Sequence, residues 1–143
     1  MRLMLTIVLF NIGALDAEAL TWRNAKCTTS QKTRQIYTDA HNNLRQRQGL
    51  PKLVYDCALE NLAAAERAIP GTAKKHGYSK LEFFRESGRD HSELLRCSFQ
   101  QLKGDANAFR KIMNHIATRF GCSEAVVAGV FDVICIYNKR LDL

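Results

Sequence analysis

Apolar residues recur at helical spacing across most of the chain between Cys27 and Ile116, then become β-branched and nearly continuous from Phe120 onward. After Cys27, the run Thr28-Thr29-Ser30 offers an N-cap, and Ile36, Ala40 and Leu44 repeat until Gly49 ends a first helix. Leu53-Val54-Tyr55 is a short apolar connector. Asp56 caps a second helix through Leu59, Leu62, Ala63 and Ala64, and Pro70-Gly71 stops it. The stretch 72–89 holds Leu81, Phe83 and Phe84 among charges without sustained periodicity, and reads as a loop with one short strand. Asp90 with Glu93 resembles a capping box opening a third helix, whose apolar positions are Leu94, Leu95, Phe99 and Leu102 before Gly104 closes it. Asp105 caps a fourth, with Phe109, Ile112, Met113 and Ile116 on one face.

Ala125-Val126-Val127-Ala128, a Gly129 turn and Val130 to Tyr137 then predict two adjacent antiparallel strands. Val133, Ile134 and Ile136 make the second strand apolar on both faces, as in a strand buried between layers. The fold class is therefore α+β, a single domain with helices on both sides of a small central sheet.

The amino terminus changes the setting. Arg2, an apolar run from Leu3 to Leu15 and the small-x-small Ala17-Glu18-Ala19 read as a secretory signal over residues 1–19, leaving 20–143 as one domain. The apolar core is shorter than the roughly 20 residues that cross a bilayer, and no later segment is apolar enough to do so. The expected protein is exported and soluble. Losing the signal removes one arginine and two carboxylates, which raises the formal charge from +7 to +8. Such a charge attracts polyanions such as glycosaminoglycans and anionic headgroups. Nucleic acid is not an expected partner of an exported chain, and no run of five basic residues marks a dedicated site. Five cysteines in an exported chain favour disulfides over metal thiolates, with one thiol left over.

Three separated motifs occur in order. His41-Asn42-Asn43-Leu44-Arg45 lies on the first helix, Leu53-Val54-Tyr55-Asp56-Cys57-Ala58-Leu59-Glu60 opens the second, and Ala108-Phe109-Arg110-Lys111 leads through Gly121-Cys122 to Val133-Ile134-Cys135-Ile136-Tyr137. Together they resemble the CAP superfamily, or SCP domain, and its nematode secreted, venom-allergen-like branch. The resemblance implies a three-layer α-β-α sandwich, here shortened or diverged, and a Cys122–Cys135 disulfide. Cys27, Cys57 and Cys97 then compete for a second bond.

The resemblance also implies a cleft where two histidines and two glutamates can hold a divalent metal such as zinc. Here His76 matches the first histidine, Glu86 or Glu82 is the nearest substitute for the first glutamate, Gln101 stands for the second, and Ala108 replaces the last histidine. An amide and a methyl in place of two ligands mean that zinc is not expected and the cleft is degenerate. His115, two helical turns after Ala108, would lie about 10 Å away along the axis, too far to replace it. For the remaining residues structural roles are expected: His41 packed within the fold, His91 solvated beside a helix cap, Trp22 over the core edge and Tyr137 in the core.

The resulting expectation is a secreted, non-enzymatic protein that binds an extracellular protein or lipid through its surface. Two other classes remain: a metal-dependent hydrolase using His76 and Glu86 with His115 as a displaced ligand, and a cationic membrane-binding protein using the fourth helix with Arg110, Lys111 and Arg119.

Overall fold

The computed structural model describes residues 25–86 and 90–139. The expected signal segment, its cleavage site and Trp22 lie outside the described residues. The described chain forms α1 (Gln31–Arg47), β1 (Val54–Tyr55), α2 (Cys57–Ala68), α3 (Thr72–Lys75), β2 (Ser79–Glu86), α4 (His91–Leu102), α5 (Ala106–Ile112), β3 (Arg119–Val127) and β4 (Val130–Tyr137).

Each of the four longer helices starts at a polar cap. Ser30 accepts from the Thr33 amide, Asp56 from Ala58, Asp90 from Glu93, and Asp105 from Asn107 and Ala108. These side chains satisfy donors that a helix leaves without partners at its first turn. The four strands form one sheet in the order β1-β3-β4-β2, with β1 parallel to β3 and both other pairs antiparallel.

Alternation along β4 divides the interior in two. Val133, Cys135 and Tyr137 face α1, α4 and α5 in a core that includes Tyr37, Leu95, Phe99, Ile112 and Phe120. Ile134 and Ile136 face the other way, onto Leu59, Leu62 and Ala63 of α2 and Ala73 of α3. Residues 131–137 are all buried. The sandwich expected from a strand apolar on both faces is what forms.

Three expectations change. The segment read as loop with one short strand contains α3 and an eight-residue β2. Its alternation is real: Leu81 and Phe83 are buried, and Phe84 points outward, an apolar side chain 57% exposed on the outer face. The fourth helix ends at Ile112, so Ile116 is not on its apolar face and is exposed. Strand β3 begins at Arg119, six residues before the β-branched run. Its early residues were obscured by the close packing of α2: Gly121 lies so near the start of that helix that a side chain there has no room.

Candidate functional site

The motif residues are the wiring of the fold. His41 is fully buried, with Nδ1 2.7 Å from the Tyr37 carbonyl and Nε2 2.7 Å from the Tyr137 hydroxyl. A carbonyl only accepts, so Nδ1 carries the proton and Nε2 accepts from Tyr137. Its ring packs 4.2 Å from Phe120 and 5.0 Å from Phe99, measured between centroids. Burial holds its pKa down at about 4. Asn42 spans the backbone of Leu53, donating to its carbonyl at 3.1 Å and accepting from its amide at 2.8 Å. Leu44 is core.

Arg45 is 1% exposed and acts as a brace from α1 to the end of α5, donating to the carbonyls of Pro51, Ile112 and Asn114. The Tyr55 hydroxyl donates to Glu60 at 2.7 Å. Glu60 is itself 2% exposed and accepts from the Thr28 amide at 2.6 Å. Burial alone would raise the Glu60 pKa, but hydrogen bonds from Thr29, Tyr55 and Thr28 together lower it. Disulfides join Cys122 to Cys135 across β3 and β4, and Cys27 to Cys57 at the start of α2. Cys97 is the free, exposed thiol.

The cleft residues behave differently. Gln101 and Ala108 line one open groove of about 630 Å³, with β2 residues including Glu82 on the opposite wall. His76 and Glu86 are not among its lining residues. His76 is exposed at the end of α3, with its ring 6.1 Å from that of Tyr78. Glu86 ends β2, opposite Val130. An eight-residue strand at about 3.3 Å per residue is about 23 Å long, and these two side chains flank its opposite ends. They do not converge. His115 lies beyond the end of α5 and is exposed, so the shared helical face expected for it with Ala108 does not exist. Among the described residues, no group of three or more histidine, cysteine or carboxylate side chains is placed to hold a metal ion. The donors present do not fit the four-ligand set that the resemblance implies.

Sequence reasoning missed two arrangements that only the fold creates. His91 is bonded to Glu124 at 2.7 Å, and Glu124 also accepts from the buried Tyr37 hydroxyl at 3.1 Å, which links α4, β3 and α1. His91 is exposed beside its helix cap, and in addition its ring stands on Phe131 and its Nε2 faces Glu124. On the other face of the sheet, Arg67 pairs with Asp132 at 2.8 Å and reaches Ser123. No local signal marks either, because Glu124 and Asp132 acquire their partners from helices packed on the sheet.

Lys111 is the third surprise. It is half-buried on the groove wall, and burial and then the Lys80 ammonium lower its pKa, against a partial offset from Asp105. It forms no ion pair among the described residues.

A family model for the cysteine-rich secretory proteins, CAP, matches residues 38–137. This chain belongs to the CAP family. Among solved structures, the CAP chain is similar to the Ancylostoma-secreted protein Ac-ASP-7, at 29% identity and a TM-score of 0.76 over 81% of this chain and 73% of that one. A manganese-bound form of Ac-ASP-7 gives 30% identity and a TM-score of 0.75 over the same shares. NaASP2 with Zn2+ matches at 17% identity and a TM-score of 0.63, over 80% of this chain and 85% of that one, and at that identity shows the shared fold alone. Comparison with curated proteins yields no match. The family and its nematode branch are those that the three motifs indicated. Among the described residues of this CAP protein, no helix is long and apolar enough to cross a membrane.

Proposed function

We propose that this CAP protein is exported and acts outside the cell by binding a partner, without catalysing a reaction and without a catalytic metal. The observation that carries the reading is the dispersal of the cleft residues. Gln101 and Ala108 share a groove, whereas His76 and Glu86 flank opposite ends of β2. A hydrolytic metal needs several ligands on one ion and an open position for water. The membrane-active alternative is weakened, because Ile112 is fully buried and Phe109 and Met113 are partly buried, leaving Ile116 as the exposed apolar residue of its proposed face.

Expression of the full chain in a secretory host tests the reading. Expected in the medium is a chain that begins near Leu20, contains two disulfides, and shows no ester or peptide hydrolysis when supplied with zinc. Hydrolysis that a chelator and His76→Ala both abolish would overturn it.

A second reading, lipid carriage, is favoured by a groove of about 270 Å³ between α1 and α4. Ile36, Ala40, Leu44 and Phe99 give it an apolar floor, with Arg47, Arg96 and Lys103 at its rim. An acyl chain over the floor with its carboxylate at the rim is the chemistry it suits.

A further inference from the structure

The groove between β2 and α5 has a wall made of five consecutive residues, Leu81 to Arg85. Successive side chains of a strand point to opposite faces, so a wall of five in a row is the strand's edge. Among the described residues β2 pairs with β4 alone, at the end of the sheet. Its outer backbone groups therefore face the groove. Arg85, in the same strand, donates from Nη1 to the Phe84 carbonyl at 2.7 Å. An eight-residue edge without proline is a template for another strand.

The facing wall is shaped for a thin occupant. Gly104 and Ala108 present almost no side chain, and Gln101 and Asn107 carry amides that can donate and accept. It carries one acid and one base, and Asp105 partly offsets the effect of burial on Lys111. Asp105 is engaged in capping α5, accepting from the Asn107 and Ala108 amides. The Glu82 carboxylate lies toward Asp132 and Lys80. Lys111 is left without an ion pair, with Lys80 near enough to oppose its charge.

We propose that this groove takes an extended peptide segment of a partner protein, added to the free edge of β2 as a fifth strand, with an acidic side chain of the peptide against Lys111. Main-chain bonds to β2 supply the affinity and the carboxylate sets the register. The inference deepens the reading of the protein as a binding scaffold and rests on it.

Fluorescence anisotropy of the oxidised mature chain with a labelled peptide of alternating Thr and Val and one central Glu tests it. Saturable binding is expected. It should weaken about tenfold or more when alternate peptide amides are N-methylated, and likewise with Lys111→Glu, the fold of that variant being checked by circular dichroism. Absence of binding, or binding indifferent to both changes, overturns the proposal. A chain that sediments as a dimer and binds no peptide also overturns it, by assigning the edge to a second copy. Peptide failure without zinc uptake by the protein refutes this inference alone, whereas stoichiometric zinc refutes the non-metal reading beneath it.

Discussion

Gly121→Val is expected to unfold this domain more effectively than any other single-residue change on the sheet. A Cβ at that position would stand 2.6 Å from the Asp56 carbonyl oxygen and 2.7 Å from the Leu59 carbonyl carbon, and in conflict with the Glu60 amide nitrogen as well. All three are backbone atoms of the first turn of α2 and its cap, so no rotamer change relieves the contact. The helix must lift from β3, which pulls Glu60 away from Tyr55 and Thr28 and disturbs the packing of Leu59 and Leu62. Overpacking costs about 1–3 kcal/mol where side chains can adjust, and a backbone conflict belongs at or beyond the top of that range. The expected loss is about 3 kcal/mol or more, read as a fall in the urea midpoint at unchanged slope. Gly104→Ala is the control, because its added Cβ meets only the Gln101 carbonyl oxygen at 3.5 Å. That variant should stay within about 0.5 kcal/mol of the parent. Equal midpoints for the two variants would show that α2 does not sit against Gly121 as described.

Acid should destabilise the protein through His41. In the fold this imidazole is neutral down to about pH 4, because burial disfavours its charged form. In the unfolded chain it takes up a proton below about 6.5. The unfolded state therefore binds more protons between these values, and stability that is complete above 6.5 is lost as the pH falls toward 4. The difference corresponds to about 3 kcal/mol. Hydrogen bonds hold the Glu60 pKa down, so its protonation adds to the loss at lower pH, while burial and the neighbouring Asp132 raise that of Glu82, which opposes it. Urea titrations at several pH values measure the slope. His41→Gln, which can still donate and accept, should flatten it between pH 6.5 and 4. An unchanged slope in that variant would place the titration elsewhere.

The elements that depend on neighbours in sequence were readable. Ser30, Asp56, Asp90 and Asp105 all cap helices as expected, since a cap needs only a side-chain oxygen within three residues of its donor. The double-faced apolar pattern of β4 likewise disclosed a strand between two layers. Strand β2 was harder, because its inner residues Leu81 and Phe83 alternate with charges, such as Lys80 that pairs with Glu66 of α2 and with Glu82, and with an exposed Phe84. Its length follows from pairing with β4, eight residues against eight, which no local window contains.

Legibility of the cleft was of another kind. Loss of a ligand at Ala108 is visible in one residue, but the separation of His76 from Glu86 depends on β2 running its full length between them. The same holds for Lys111. In the sequence it is one of a pair of basic residues on a helix, and only the approach of β2 makes it a cation facing a strand edge. His91 and Glu124 lie 33 residues apart and meet because α4 starts over β3.

Native mass spectrometry of the oxidised mature chain in micromolar zinc tests the central claim most directly. The expected spectrum shows the chain with two disulfides and no stoichiometric zinc, and His76→Ala leaves it unchanged apart from the mass of the substitution. One zinc per chain, lost on His76→Ala, would contradict the claim by showing that a metal centre assembles after all.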